Sequence, residues 1–176
     1  NALDLAMFRA IDRISRHLRT DRTIRAVIVA ANGEDFCSGL DVKSVLSQKS
    51  SALALLAKWW PGKANLAQRV SRNWRKIPVP VIMVIHGRCW GGGLQIALGA
   101  DIRFSTPDAK FSIMEMRWGL IPDMSVTQTI RDVVSIDMAK ELIFTGKTIK
   151  GEEAARLNLV THVCEKPYEE AMALAG

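Results

Sequence analysis

The chain has 176 residues, 48% of them hydrophobic and 24% charged, enough apolar material for one domain with a substantial core. No apolar run approaches the roughly 20 residues a membrane-spanning helix needs, so no membrane-embedded class is expected. The formal charge is +6, with Arg9, Arg13, Arg16, Arg19, Arg22 and Arg25 crowded near the start, an excess that suits a solvated helix face or a phosphate-bearing partner.

Leu5, Phe8, Ile11, Ile14 and Leu18 recur at helical spacing, so a helix is expected over 3–18 with the arginines on its outer side. Residues 25–30 read as a buried strand stopped by Asn32-Gly33. The loop Asp35-Phe36-Cys37-Ser38-Gly39-Leu40-Asp41 follows, then a mobile Ser/Gln/Lys-rich stretch to about Ser51. Leu55, Leu56, Trp59 and Trp60 mark a helix that Pro61-Gly62 interrupts and that resumes through Leu66, Val70 and Trp74. Residues 81–85 form a second strand ending at His86-Gly87, and Gly91-Gly92-Gly93 lead a helix over 94–99. A third strand is expected over 101–105 and a short one over 111–113. Helices are expected near 126–134, 137–144 and 151–157, and a last strand over 159–163. Strands alternating with helices, without repeats or low-complexity tracts, predict a single-domain α/β fold.

Cys37, Cys89 and Cys164 form no CxxC pair and no metal pattern, and their odd number argues against a disulfide framework. They read as buried, reduced thiols of a cytoplasmic protein or one of an organellar matrix; no cleavable leader is expected. Two strands run out into loops of one character, 36–41 and Trp90-Gly91-Gly92-Gly93. If both strands lie in one sheet, the loops bring two backbone N–H groups to the same edge. Such a pair stabilises a developing oxyanion by about 3 kcal/mol per donor. Glu115, about twenty residues beyond the glycines, supplies a base; donors plus a base suffice to make and quench an enolate.

In order and spacing these motifs resemble the enoyl-CoA hydratase/isomerase (crotonase) superfamily over essentially the whole chain. The resemblance is carried by Asn1-Ala2-Leu3-Asp4, the 36–41 loop, Pro80-Val81-Ile82, His86-Gly87 and the glycine-led helix. Ala100-Asp101-Ile102-Arg103, residues 111–122 and Thr145-Gly146 complete it. It implies a crotonase-like fold of repeated ββα turns wound into a superhelix. Residues 1–176 would be its core domain, without the family's first strand and C-terminal helices. It also implies an acyl-CoA thioester substrate, a homotrimer or hexamer, and no metal or redox cofactor, coenzyme A entering only as part of the substrate.

The family's oxyanion donors map onto the backbone N–H groups of Leu40 and Gly92. Ser38, Gly39, Asp41, Trp90, Gly91 and Gly93 are the substrate-binding residues around them. The second glutamate of family hydratases matches Glu115, whereas the first falls on Gln95. A glutamine amide forms hydrogen bonds but has no usable pKa, so activation of water between two carboxylates loses a partner. Double-bond isomerisation needs one carboxylate, at the position of Glu115, and is the expected reaction. Asp123 is a second catalytic candidate, because dienoyl-CoA isomerases and 4-chlorobenzoyl-CoA dehalogenases carry a similar aspartate. Paired with Glu115 it would serve an alternative hydratase; otherwise it is a cap or first-turn acid of the helix that follows. His86 reads as a packing and loop-bonding residue, Asp41 as loop-ordering, Asp101 as a strand-start residue, and Trp59, Trp60 and Trp90 as core or acyl-pocket walls. A third reading takes Arg9, Arg13 and Arg16, spaced to share a helix face, as an RNA-contacting stripe. Nucleic acid is otherwise outside the expected partners.

Overall fold

The computed structural model describes residues 1–41, 49–57 and 62–176. Among the described residues seven strands build two sheets. In chain order they are β1 (Val27–Val29), β2 (Val81–Ile85), β3 (Arg88–Trp90), β4 (Ile102–Ser105), β5 (Lys110–Ser112), β6 (Ile149–Lys150) and β7 (His162–Val163). The first sheet is wholly parallel, in the order β1-β2-β4-β7. The second runs β3-β5-β6, with β3 parallel and β6 antiparallel to β5. The helices are α1 (Leu5–Leu18), α2 (Lys49–Leu56), α3 (Leu66–Arg72), α4 (Gly92–Ala97), α5 (Val126–Thr129), α6 (Ile136–Thr145), α7 (Gly151–Arg156) and α8 (Pro167–Ala175).

The expected ββα repeat is present. β2 enters the first sheet, β3 the second, and α4 follows; β4 and β5 repeat the pattern, with a 3₁₀ turn over Met114–Trp118 in the helix position. The segment after β1 joins the second sheet through one parallel bridge, Cys37 opposite Cys89. All five residues of β2 are buried, as an apolar run needs when both faces of a parallel strand are covered. Successive side chains point to opposite faces: Val81, Met83 and Ile85 enter the main core, while Ile82 and Val84 pack with Phe104 and Ala171 of α8 in a smaller one.

Several elements differ from expectation. β1 is shorter than the 25–30 run and only partly buried. β3 and β6, three and two residues long, are too short to show a period and were not anticipated. Of 159–163 only His162–Val163 is strand; Leu159 and Val160 are buried before it, where Arg103 donates to the Leu159 carbonyl at 2.9 Å. The expected helix over 126–134 is α5 followed by a 3₁₀ turn at Ile130–Asp132. Among the described residues no helix is long and apolar enough to cross a membrane.

α1 begins at Asp4, whose carboxylate accepts from Met7 N at 2.7 Å, but it does not bury the stripe the periodicity implies. Ile14 is 51% exposed, and Asp12 and Ser15 are buried beside Phe8. The reason lies in α3, whose Arg69 approaches Asp12 through Nε at 3.0 Å and Nη2 at 3.2 Å. Asn73 donates to Asp12 at 3.0 Å and to Ser15 Oγ at 3.1 Å, and Arg16 reaches Asp12 at 3.0 Å. The two helices are thus joined by a polar cluster, with Arg16 drawn out of the expected basic stripe.

At the C-terminal end of α3, between Arg69 and Asn73, a Cβ built on Gly99 would overlap the Ser71 carbonyl oxygen, a backbone atom that cannot step aside. Gly99→Ala is expected to cost about 1–3 kcal/mol through this overpacking. The measurement is the urea midpoint, and an unchanged midpoint would show that the backbones separate freely there.

Candidate active site

β3 delivers the chain to the glycines. Trp90 N donates to Cys37 O at 2.9 Å and Gly91 N to Ser112 O at 2.8 Å, so the strand is held from both sides up to its last residue. Gly91 then turns the chain with φ 51° and ψ −120°, a conformation L side chains rarely adopt. A Cβ there would also stand 3.2 Å from Glu115 Oε1. At Gly93 a Cβ would fall 2.5 Å from that of Cys37, so the Cys37 side chain of the 36–41 loop packs directly on the bare backbone of α4. The three glycines are a backbone turn and two close contacts, and α4 starts at Gly92 rather than near Leu94.

The 36–41 loop is anchored from below. Arg88 N donates to Asp35 Oδ1 at 2.7 Å and Arg88 Nε to Asp35 Oδ2 at 2.8 Å; the guanidinium holds the Asp35 carboxyl below the usual carboxylate range. The same guanidinium lies 5.2 Å over the Trp90 ring. Asn1 Nδ2 donates to the carbonyls of Asn32 and Asp35 at 2.6 and 2.7 Å. Ser38 Oγ donates to Asn1 O at 3.2 Å, so its hydroxyl serves the loop. Sequence reasoning missed the Asp35–Arg88 anchor; its signal was an acid just before the loop and a base just after the strand it must meet.

The two proposed oxyanion donors are freed for different reasons. Leu3 pairs with Leu40 in a parallel bridge, through Leu3 N to Gly39 O at 2.8 Å and Asp41 N to Leu3 O at 3.1 Å. That pattern leaves the N–H of Leu40 itself on the far edge. Gly92 is the first residue of α4, where N–H groups have no intrahelical acceptor. Among the described residues no acceptor takes either N–H. Gly39 brings the loops together: a Cβ on it would lie 3.3 Å from Trp90 O.

Gln95 and Glu115 meet beside these loops. Gln95 is 1% exposed, and its Nε2 donates to Glu115 Oε1 at 2.6 Å. Glu115 sits on the 3₁₀ turn after β5. Burial pushes its carboxyl above the ordinary glutamate range; hydrogen bonds from its own backbone and from Gln95 oppose this, and the charge of Asp123 adds a further upward push. Glu115 Oε2, Gln95 Oε1 and Trp90 Nε1 are buried with no partner among the described residues. In native proteins such atoms call for a specific explanation.

Asp123 is exposed, close enough for its charge to reach Glu115. It does not cap α5: Ser125 precedes that helix at φ 75°, without a side-chain cap bond. His86 Nε2 contacts Gly33 O at 2.8 Å and Asp101 Oδ2 accepts from Val81 N at 2.8 Å, the structural roles expected of both. Burial pushes the Cys37 and Cys89 thiols up, which keeps them protonated and unreactive. Trp59, Trp60 and residues 42–48 of the expected mobile stretch lie outside the described residues. Among those described, no group of three or more His, Cys, Asp or Glu side chains is placed to hold a metal ion.

The crystal structure of enoyl-CoA hydratase from Bacillus anthracis matches this one with a TM-score of 0.85 at 27% identity, over 99% of this chain and 66% of that one. The fold is that of the crotonases. The sequence model of the enoyl-CoA hydratase/isomerase family matches residues 1–174. The chain is 30% identical over 170 residues to mouse mitochondrial methylglutaconyl-CoA hydratase, covering 96% of this chain and 52% of that protein. It is 31% identical over 174 residues to the mitochondrial Delta(3,5)-Delta(2,4)-dienoyl-CoA isomerase of Dictyostelium discoideum, covering 93% and 57%. The chain belongs to the enoyl-CoA hydratase/isomerase family, and it spans between about half and two thirds of the length of these relatives.

Proposed function

We propose that the protein isomerises the double bond of an enoyl-CoA thioester, with Glu115 as the one acid and base and the N–H groups of Leu40 and Gly92 as oxyanion donors. The observation that carries this reading is the partner of Glu115: a buried amide that cannot ionise, where a two-carboxylate hydratase needs a second titrating group. Glu115 removes a proton from the carbon beside the thioester. The charge that develops moves onto the thioester oxygen between the two N–H groups, and the proton returns two carbons along. Coenzyme A takes part only as the carrier of the acyl group.

Hydration by Glu115 with Asp123 is the weaker reading, because Asp123 is exposed and makes no hydrogen bond to Glu115. An RNA-contacting role for the basic helix is weaker too, since Arg16 is committed to Asp12. The exposed side chains of Trp118, Ile121 and Phe144 support a trimer or hexamer as part of the proposal.

Mass-resolved assay of trans-3-enoyl-CoA and trans-2-enoyl-CoA tests the reaction. Turnover of the 3-enoyl substrate without the mass of added water is the expected result; efficient formation of 3-hydroxyacyl-CoA from the 2-enoyl substrate would overturn it. The base must be ionised to act, and burial raises its pKa. The acid limb of kcat/KM is therefore expected above the ordinary glutamate range, with activity rising as pH rises through it. A limb at the value of a solvated glutamate would show that the reacting group is not Glu115.

A further inference from the structure

We propose that Gln95 is the positioning residue of this site: it fixes Glu115 Oε1 and leaves Oε2 as the single oxygen that exchanges protons with the substrate. The proposal rests on the isomerase reading and adds to it which atom reacts and what holds that atom in place. Oε1 is confined from two sides, by Gln95 Nε2 at 2.6 Å and by the backbone at Gly91, where even a methyl group would stand 3.2 Å away. Gln95 is itself anchored, 1% exposed on α4 with its backbone N donating to Gly91 O at 3.0 Å. An amide N–H donates to the carbonyl oxygen of a neutral carboxylic acid as well as, more strongly, to a carboxylate oxygen. The bond to Oε1 therefore persists in both protonation states of Glu115, and the proton goes to Oε2.

Oε2 is buried and has no hydrogen-bond partner among the described residues. Among the described residues, a proton held there has no hydrogen-bonded side chain to which it can pass. In the forward step Oε2 forms an O–H bond with the proton from C2, and the C–H electron pair moves toward the thioester, whose oxygen carries the charge. In the return step that O–H bond breaks with its pair left on Oε2, the C3=C4 π pair takes the proton at C4, the C1=C2 pair of the enolate closes the C2=C3 double bond, and the oxygen's pair re-forms the thioester carbonyl. Atoms and charge balance without a co-reactant. One oxygen that both takes and gives, shielded from water, makes the transfer internal. The C2 proton of the substrate reappears at C4.

The test compares wild type, Gln95→Met and Gln95→Glu on trans-3-enoyl-CoA, with pH profiles and with turnover in heavy water. Wild type is expected to place well under one deuterium per turnover at C4. Gln95→Met keeps the side-chain volume but removes the donor. Its kcat is expected to fall about 100-fold through misplacement of the base, with KM within about twofold. Its acid limb shifts to higher pH, because a bond that favoured the carboxylate is gone, and deuterium at C4 rises. Gln95→Glu offers the donor only while the new carboxyl is protonated, so activity is confined to the pH band in which the two carboxyls share one proton.

A purely structural role for Gln95 would lower the yield of folded enzyme without moving the limb or the isotope content. If Gln95→Met does not fold, the profile of Gln95→Glu decides by the same criterion. An acid limb at the wild-type position in either folded variant overturns the proposal, as does full deuterium incorporation by wild type. A wild type with no turnover of 3-enoyl-CoA overturns the isomerase reading and this one together. Turnover with an unmoved limb overturns this one alone.

Discussion

Glu115→Gln is expected to lower kcat for trans-3-enoyl-CoA by about 1000-fold, within the range that removal of a general acid–base group produces. The replacement amide fills the same space and can accept from Gln95 Nε2 through its own oxygen, so the packing over Gly91 and the 2.6 Å contact have no reason to change. What is lost is a group that can take a proton. Residual turnover would come from the N–H groups of Leu40 and Gly92, which this substitution does not touch.

Stability separates this outcome from misfolding. The folded chain holds the Glu115 proton to higher pH than the unfolded chain does. Folding is therefore favoured below the unfolded pKa of that carboxyl, and some stability is lost as pH rises through the folded one. Glu115→Gln removes this loss, so its thermal midpoint at neutral pH is expected to match or exceed that of wild type. Loss of activity with an unchanged midpoint assigns the chemistry to Glu115; turnover within tenfold of wild type would remove it from the mechanism.

The largest loss of stability is expected from Asp12→Ala, far from the chemistry. The Asp12 carboxylate accepts from Arg69, Arg16 and Asn73 while its side chain is only 5% exposed. Removing it leaves the Arg69 guanidinium with only the Ala64 carbonyl, and the Asn73 amide with only Ser15 Oγ, at the interface of α1 and α3. Truncating one partner of a wholly buried pair costs roughly 3–5 kcal/mol. Here the side chains of Arg69 and Arg16 are 36% and 65% exposed and can regain water. The expectation is accordingly about 2–3 kcal/mol, below that range. For a chain of this size that lowers the midpoint on the order of 5–10 °C. Asp12→Asn, which keeps one acceptor oxygen for Arg69 or Asn73, is expected to lose less. Equal losses for the two substitutions would show that charge at this position is irrelevant and that shape alone holds the helices together.

The parts of the fold legible in the sequence are those with enough residues to show a period or a sharp boundary. Val81–Ile85 is five apolar residues in a row, and all five are buried. β3 and β6 could not be seen because Arg88–Trp90 and Ile149–Lys150 are defined by their hydrogen-bonding partners and by nothing in their own composition. α1 was placed correctly but its buried face was misjudged. Hydrophobic spacing cannot anticipate that Asp12 will be matched by Arg69, 57 residues away, so a carboxylate displaced Ile14 from the interior.

In the site, Glu115, Gln95 and the two freed N–H groups were legible as a family pattern. The contact between Gln95 and Glu115 was not, because the pattern gives positions and no distances. Asp123 as a cap failed on backbone conformation: Ser125 has positive φ, so α5 does not start in the extended geometry from which a side-chain cap bond forms.

The three repeats also bear on how the chain reaches its working state. Leu40 follows the first ββ unit, Gly92 and Gln95 belong to the second and Glu115 to the third, and the first two are joined by Cys37 opposite Cys89. These are parallel pairings between distant stretches of chain, the kind that forms slowly because a long loop must close first. A partly folded chain with two units docked would have the glycine turn but no carboxylate beneath it. Recovery of turnover during refolding should therefore lag behind the appearance of helix and sheet, which makes catalysis a clock for the last docking event.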